Sequence, residues 1–450
     1  MTIAMVEAGG QPDHAGADTT APSRARYIEQ SPGQSLGQSP GPFMADMFED
    51  ILPHRMIPLP KRHAEGTHRA EALAVTLARL LPRMGEFGVT RLGRLTGLDR
   101  LGMEVMMATR PNARCVSVAN GKGLCATSAK VSALMEAIET WHAERPDLAL
   151  RFGFPEDVGA ADCPAWLDGL PRRPDSAADP GPILWARARD LISGGTALVP
   201  FDLVHCDWLD AVPTHGFHGS TNGLASGTHP VEAALHGLCE VIERDSCALF
   251  DLLPAEHRAR RRLTVESVAG PSVRGLIERA EAQGFRLALW DATSDIGVPV
   301  VLAALIDTHA PETPSGFGSG SHPDPEVAAA RAITEAAQTR LIAIAGTRDD
   351  LGPAIFAGET GLRFRWAVRD TGGAGRDWAT LPNLAGDCIR ADLARVIAAT
   401  AGVTEAVFAV DLSHEPGISV VRVIVPWLEA AGPAEVRPGR RAARAAEVMA

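Results

Sequence analysis

The sequence predicts an α+β fold, and three observations support this prediction. Long stretches with apolar residues three or four positions apart indicate helices, and short apolar segments between them indicate hairpin-like strands. The order of these segments lacks the strict β–α–β alternation of a doubly wound parallel sheet. Late in the chain, the alternating apolar residues of FAVDL and ISVVRVIVP predict a hairpin. We therefore expect mixed or antiparallel sheets combined with long helices.

Local signals define the individual elements. Three Gly-rich stretches, GKG (121–123), STNGLASG (220–227) and GFGSGS (316–321), each stand before a long helix. Because glycine weakens the interior of helices and strands, all three stretches are predicted as loops. Helices are predicted over 69–81, 127–144, 229–250, 271–283 and 324–345. Strands are predicted near 88–92, 103–109, 114–118, 286–291 and 298–306, with further strands between 150 and 205.

The length allows a large buried core. A chain of 450 residues is compatible with up to about three domains. Residues 1–50 contain the low-complexity run SPGQSLGQSPGP, which disfavours both helix and strand, and we predict that this segment is disordered. Residues 55–450 are predicted to form one catalytic domain.

Charge and cysteine content exclude several classes of protein. Lysine and arginine total 43 against 55 acidic residues, so the net charge is −12, which argues against nucleic acid or an anionic membrane as the main partner. No apolar run approaches the about 18 residues that span a bilayer, and no secretory signal is evident. The seven cysteines form no CxxC pair, so neither a zinc site nor a disulfide framework is predicted. We expect a cytoplasmic protein.

The three long helices resemble one another. SALMEAIET (132–140) aligns with HGLCEVIER (236–244), and the two share Leu, Glu, Ile and Glu at equivalent positions. RAITEAAQT (331–339) repeats the register, with Gln338 in place of the second glutamate. Three such segments, each after a Gly-rich stretch, indicate an internal repeat.

Helical geometry places two carboxylates of each ExxE pair on one face, opposite an apolar stripe. One such pair can be a solvated helix face, but glutamates in solvent need no Gly-rich stretch before them. Four carboxylates that face a shared cavity repel one another unless cations neutralise them, and such hard oxygen ligands suit Mg²⁺. The predicted metal ligands are Glu136, Glu139, Glu240 and Glu243.

Donors for an anion lie near these carboxylates. Backbone N–H groups of the Gly-rich stretches and the helix N-termini favour a phosphate. Lys122 is predicted to contact phosphate oxygens, with Arg244 and Arg340 as clamps. The chain has neither GxxxxGK[ST] nor a GxGxxG that opens a helix after a strand, so the pattern predicts a nonstandard Mg-nucleotide site.

Several segments together resemble the YcaO family. They cover most of the chain from about residue 60 to 430, and EGTHR (65–69) and VIVPWLE (423–429) are similar to the branch that works with a TfuA partner. The remaining segments are TRLGRLTGLDRLGMEV (90–105), RPNARCVSVANGKG (110–123), SALMEAIE (132–139), STNGLASGTHPVEAALHGLCEVIERD (220–245), RAITEAAQTRL (331–341) and AGTRDD (345–350).

The resemblance implies a YcaO-like fold around a central Mg-ATP cavity and ATP-dependent modification of a peptide backbone amide. A nucleophile attacks the amide carbonyl, and phosphorylation of the resulting oxygen makes it a good leaving group.

Carried over by position, the resemblance assigns the four glutamates named above to Mg²⁺. Thr140 stands where arginine is frequent in the family, which weakens any phosphate contact from that position, and Arg69 is a further candidate for the same cavity. His236 is interpreted either as a general base or as a paired helix histidine, and no catalytic residue is assigned. The implied ATP ligands are Lys122, Ser132, Asn222, Arg244, Glu335, Gln338 and Arg340.

The resemblance leaves two reactions open. Azoline-forming cyclodehydratases act on Cys, Ser or Thr of ribosomal peptides and typically end in a PxPxP tail, whereas this chain ends in RPGRRAARAAEVMA. The missing tail and the EGTHR segment favour thioamidation with a TfuA-like partner. Other hypotheses are a Mg-ATP-binding scaffold subunit without turnover, and a carboxylate-bridged metal hydrolase, which the scarcity of histidine beside the ExxE pairs argues against. The expected partners are a peptide or protein substrate and a TfuA-like protein, with a homodimer as the default.

Overall fold

The computed structural model describes residues 51, 57–158, 165–176, 181–209, 215–310, 315–348, 375–430 and 436–449, so the prediction for residues 1–50 lies outside the described residues. The strands are β1 (Arg91–Arg94), β2 (Glu104–Thr109), β3 (Val118–Gly123), β4 (Leu150–Gly153), β5 (Ile183–Asp190), β6 (Thr196–Pro200), β7 (Leu224–Gly227), β8 (Phe285–Asp291), β9 (Val300–Asp307), β10 (Gly316–Ser321), β11 (Phe408–Asp411) and β12 (Ser419–Ile424). The helices are α1 (Leu73–Leu80), α2 (Ala126–Glu144), α3 (Pro230–Leu252), α4 (Ala255–Arg260), α5 (Pro271–Ala282), α6 (Pro325–Ala345), α7 (Ile389–Thr400) and α8 (Arg440–Met449).

The strands form three antiparallel sheets, which confirms the predicted α+β class. One sheet has the order β1-β2-β3, and a second has the order β10-β9-β8. The largest has the order β4-β5-β11-β12-β7, with β6 paired to β5. The predicted late hairpin is confirmed, because β11 pairs with β12 and places Phe408 opposite Ile424.

The largest sheet separates two cores. Alternate residues of β12 point to opposite faces, so Val420 packs in the core that contains α2, whereas Val421 and Val423 pack with α3 and α7. A third core joins β8 and β9 to α5 and α6. Each long helix therefore has an apolar side fixed in a core, and its other side is free for polar groups.

The Gly-rich stretches are strands, and their prediction as loops is wrong. GKG is the end of β3, the last four residues of STNGLASG form β7, and GFGSGS is β10. A Cβ atom on Gly121 would lie 2.1 Å from the Ala133 nitrogen and 2.2 Å from the Ala129 oxygen of α2. The same comparison at Gly318 gives 2.3 Å to the Ala332 oxygen of α6. Glycine is needed at these positions because a helix backbone lies directly on the strand. The strand predicted at 114–118 is found at 118–123 instead, as β3.

Helix starts follow ordinary capping chemistry. The side chain of His229 accepts a hydrogen bond from the Val231 N–H at the start of α3, and Asp324 accepts one from the Glu326 N–H at the start of α6. Both helices have proline in the first turn, where its missing N–H costs nothing. The predicted bounds of α2, α3 and α6 therefore agree with the structure within about two residues, the usual uncertainty at helix ends. Within the described part of the chain, no helix has the length and apolar character to cross a membrane.

Candidate functional site

The three strand–helix units, β3–α2, β7–α3 and β10–α6, are joined in a ring by polar contacts. In the first contact, Glu139 of α2 reaches β7, the strand that precedes the next helix. Its Oε1 atom accepts hydrogen bonds from the Ser226 N–H at 3.0 Å and from the Ser226 hydroxyl at 2.6 Å. The second residue of the first ExxE pair thus connects the first unit to the second.

The residues of α3 and α6 that are equivalent to Glu139 make the other two contacts of the ring. Glu243 of α3 accepts hydrogen bonds from the Ser319 hydroxyl at 2.6 Å and from the Ser321 N–H at 2.9 Å, both in β10. Gln338 of α6 donates from Nε2 to the Asn120 carbonyl of β3 at 3.4 Å, which closes the ring. These contacts explain the sequence repeat, because one helix position connects each unit to the next.

Half-buried carboxylates from α2 and α3 face each other inside this ring. Burial raises the pKa of Glu136 to about 7, and the charge of Glu240 contributes. Burial likewise raises the pKa of Glu139 to about 8, with repulsion from Glu136 and Glu240. The pKa of Glu240 is raised as well, by burial and by Glu243, although Arg244 opposes the shift. Carboxylates that resist ionisation in this way are suited to bind a cation that replaces their protons.

The glutamate of α6 has a positively charged partner from a neighbouring strand. Lys122 Nζ of β3 lies 2.7 Å from Glu335 Oε2 of α6. Burial alone would raise the pKa of Glu335, but the charge of Lys122, with a smaller contribution from Arg244, outweighs burial and lowers the pKa. Arg244 also lies 3.8 Å from Glu240. Lys122 and Arg244 therefore bring positive charge to the edge of the carboxylate cluster.

Buried polar atoms without partners indicate that this region accepts a polar ligand. Asn120 is 1% exposed, and neither its Oδ1 nor its Nδ2 atom has a hydrogen-bond partner among the described residues. The same holds within those residues for Asn222 Oδ1 and Gln338 Oε1. A buried polar atom without a partner costs about 1–3 kcal/mol, so these atoms fit a ligand with many hydrogen-bonding groups. Sequence reasoning missed Asn120, although it directly precedes GKG.

One position in each of the three helices lies four residues before the first repeated glutamate. This position is occupied by Ser132 in α2, His236 in α3 and Arg331 in α6. The Arg331 guanidinium lies 2.8 Å from His236 Nε2, and Ser132 is half-buried on α2. Burial and the charge of Arg331 lower the pKa of His236 well below its usual value, so this imidazole is neutral and accepts a proton poorly. These contacts favour the interpretation of His236 as a paired helix histidine.

Arg340 pairs with two aspartates outside the ExxE pairs. Its guanidinium is 3.0 Å from Asp99 Oδ2 and 3.3 Å from Asp307 Oδ2, and the side chain is 4% exposed. Arg340 follows Glu335 by five residues, whereas Arg244 follows Glu240 by four, and one extra residue turns a side chain by about 100° around the helix. The implied ATP contact of Arg340 stays a prediction, and its ion pairs do not favour it.

Two other predicted positions have their own partners. Thr140, at the position equivalent to Arg244, accepts a hydrogen bond from Arg110 at 2.8 Å. Arg69 pairs with Glu232 at 3.0 Å near the start of α3.

Comparisons with known proteins agree with this arrangement. Residues 120–429 match the YcaO family, described as cyclodehydratases that bind ATP and Mg²⁺. The chain is 36% identical over 385 residues to an uncharacterized protein of Methanothermobacter thermautotrophicus, which covers 81% of this chain and 96% of that protein. It is 41% identical over 295 residues to an uncharacterized protein in the tfuA 3′ region of Rhizobium leguminosarum bv. trifolii, over 64% of this chain and 70% of that protein.

Two solved structures have a similar fold. YcaO from Methanopyrus kandleri, bound with AMPPCP and Mg²⁺, aligns with a TM-score of 0.63 and 26% identity over 83% of this chain and 95% of that chain. A heterocyclase in complex with substrate and cofactor aligns with a TM-score of 0.67 and 22% identity, over 85% of this chain but only 55% of that chain, and supports the fold alone. The family match covers well over half of the residues, so the chain belongs to the YcaO family, and ATP and Mg²⁺ are its cofactors.

Proposed function

We propose that this protein activates a peptide backbone amide by ATP-dependent O-phosphorylation, and that the product is a thioamide. The observation that carries the proposal is the pair of facing ExxE carboxylate sets on α2 and α3, largely withdrawn from solvent, with Lys122 and Arg244 beside them. This set of negative and positive groups is suited to a metal–triphosphate complex.

The residues have distinct proposed roles. Glu136, Glu139, Glu240 and Glu243 would hold Mg²⁺, and the serine contacts of Glu139 and Glu243 fix these two carboxylates in place. The further proposed ATP ligands are Lys122, Ser132, Asn120, Asn222, Arg244, Glu335 and Gln338.

Bound Mg-ATP supplies the phosphoryl group that turns an amide oxygen into a leaving group. In the proposed reaction sulfide adds to the carbonyl carbon, and the carbonyl oxygen takes the γ-phosphoryl group. Loss of inorganic phosphate then leaves a C=S bond, with ADP as the other product. Because the reaction consumes ATP, we propose that it takes place in the cytoplasm.

Thioamidation is preferred to azoline formation for two reasons. The relative of Rhizobium leguminosarum lies in a tfuA 3′ region, and the EGTHR segment is similar to that branch. We therefore propose a TfuA-like protein as partner for sulfur delivery. Azoline formation, in which a Cys, Ser or Thr side chain attacks the preceding carbonyl, uses the same carboxylates and stays the alternative.

Calorimetric titration with ATP, with and without Mg²⁺, tests the nucleotide site. We expect Mg²⁺-dependent binding in the wild type and at least about 10-fold weaker binding in Glu136→Gln and Glu240→Gln, because each variant removes a charged ligand. Glu256→Gln on α4, whose side chain is 64% exposed, is the matched control and should bind as the wild type does. Equal binding by all four proteins would contradict this site.

Mass spectrometry of the peptide distinguishes the reactions once partner and substrate are combined. Thioamidation exchanges one oxygen for one sulfur, whereas azoline formation removes one water. Glu240→Gln should abolish either change. A Mg-ATP-binding scaffold subunit, the alternative of another class, would leave the peptide mass unchanged in the wild type as well.

A further inference from the structure

Arg422 of β12 is a buried arginine that forms no ion pair with a carboxylate of the described residues. It is 1% exposed, and its guanidinium donates only to backbone carbonyls and to one thiol. A charge in the interior is costly unless hydrogen bonds replace its lost hydration. An apolar side chain would avoid this cost, so the contacts of Arg422 indicate a specific role.

The guanidinium joins two segments of the chain. Its Nη1 atom donates to the Ser220 carbonyl and to the Asn222 carbonyl, each at 2.9 Å. Its Nε and Nη2 atoms donate to the Val204 carbonyl at 3.2 and 3.1 Å, and Nη2 also lies 3.0 Å from Cys206 Sγ. These contacts use all five N–H groups of the guanidinium, so none is left for a ligand.

The second of these segments is the tight turn that leads into β7. The Asn222 N–H donates to Ser220 Oγ at 3.2 Å, and Gly223 adopts a φ of 75°, a conformation that favours glycine. The Gly223 carbonyl accepts a hydrogen bond from the Val423 N–H at 2.7 Å. The neighbours Arg422 and Val423 of β12 therefore bind three carbonyls of this turn, which fixes its backbone.

These contacts leave Asn222 little conformational freedom. Both polar groups of its backbone are bonded, the N–H to Ser220 and the carbonyl to Arg422. A fixed backbone restricts the side chain to a few rotamers. The side-chain Oδ1 atom is buried and has no hydrogen-bond partner among the described residues, which fits a proposed ATP ligand. A side chain that is oriented before the ligand arrives gives tighter binding, because less conformational entropy is lost.

We propose that Arg422 is a positioning residue of the nucleotide site: it holds the turn before β7 so that Asn222 is oriented to bind Mg-ATP. The inference rests on the proposed role of Asn222 as an ATP ligand. Because its own N–H groups are all used by the chain, Arg422 acts through Asn222 and is not itself a ligand.

Calorimetric titration with Mg-ATP tests the proposal. Arg422→Lys keeps the positive charge, but its ammonium donates from a single atom and cannot replace the fork, so we expect at least about 5-fold weaker binding. Arg422→Gln, which has no charge to bury, guards against a lysine variant that fails to fold and should also bind Mg-ATP weakly. Arg390→Lys on α7 is the matched control and should bind as the wild type does, because Arg390 is also buried and donates to the Ile57 carbonyl at 2.7 Å.

A double-mutant cycle separates positioning from a general loss of stability. Asn222→Ala should weaken Mg-ATP binding by at least about 5-fold, and the addition of Arg422→Lys should cause little further loss, because the positioned side chain is gone. Losses that add in the double variant would overturn the proposal. Unchanged Mg-ATP affinity in folded Arg422→Lys and Arg422→Gln would overturn it as well.

The same titrations distinguish a failure of this inference from a failure of the proposed function. If Asn222→Ala binds Mg-ATP as the wild type does while Glu136→Gln and Glu240→Gln bind weakly, the inference fails and the proposed function stands. If the two glutamine variants also bind as the wild type does, the proposed nucleotide site itself is wrong.

Discussion

The contact between α3 and β10 and the contact between α6 and β3 use the same helix position with opposite chemistry. In the first, the Glu243 carboxylate accepts hydrogen bonds from two serines. In the second, the Gln338 amide donates to a carbonyl, and Lys122 neutralises the neighbouring Glu335. The backbone arrangement repeats, whereas the charge does not.

This difference shows how one repeated helix position can carry different charge. On α2 and α3 the pKa values of Glu136, Glu139 and Glu240 are raised, because burial outweighs the positive charges nearby. On α6 the pKa of Glu335 is low, because Lys122 and Arg244 are close. The repeated helices therefore differ in charge balance: the glutamates of α2 and α3 keep raised pKa values, whereas Glu335 is neutralised by neighbouring cations.

The largest expected loss of stability comes from replacing strand glycines, since both contacts involve a strand whose glycine lies against a helix backbone. Gly121→Ala in β3 and Gly318→Ala in β10 each place a methyl group against helix backbone, which cannot move away easily. We expect each to destabilise the fold by about 3 kcal/mol or more. Gly85→Ala is the matched control, since a Cβ atom there meets nothing within 4 Å. Chemical denaturation measures all three, and equal stability of Gly121→Ala and Gly85→Ala would contradict the close packing.

A smaller loss of stability is expected when Glu335 of α6 loses its ion-pair partner Lys122. Lys122→Met leaves the half-buried Glu335 without its ion-pair partner, and we expect a loss of about 1–2 kcal/mol after allowance for solvent screening. The double variant Lys122→Met/Glu335→Gln should recover part of this loss. Lys130→Met removes a lysine elsewhere, on α2, and should change thermal stability little. If the double variant is no more stable than Lys122→Met, the ion pair is not the cause.

The smallest expected effect is a pH dependence of the metal-free protein. The pKa values of Glu136 and Glu139, about 7 and about 8, lie above the ordinary glutamate value, so the folded state keeps protons that the unfolded state releases. Stability should therefore fall as the pH rises from about 5 to 8, and Glu139→Gln should reduce the slope. Melting temperatures across this range measure it. Saturating Mg-ATP should oppose the fall, and a metal-free melting temperature that rises with pH would contradict these shifts.

Sequence patterns predicted the helices well, because periodic apolar residues and capping groups are local signals. They failed at β3, β7 and β10, because glycine in a sequence indicates a turn unless the helix that packs on it is known. The ion pairs of Arg340 with Asp99 and Asp307 were also not predictable from local patterns, because these partners are distant in the chain. The Asn120 amide, which has no hydrogen-bond partner among the described residues, carries no sequence signal either.

The pairing of β7 with β12 links the site to the timing of synthesis. Ser226, which holds Glu139, lies in a strand whose neighbour in the sheet is made roughly 200 residues later. At about 5–20 residues per second, a ribosome needs on the order of 10–40 s to cover that distance. The nascent chain therefore carries both ExxE helices long before the sheet edge that orients one of them is secured. ATP turnover should begin only after this late strand has emerged and paired.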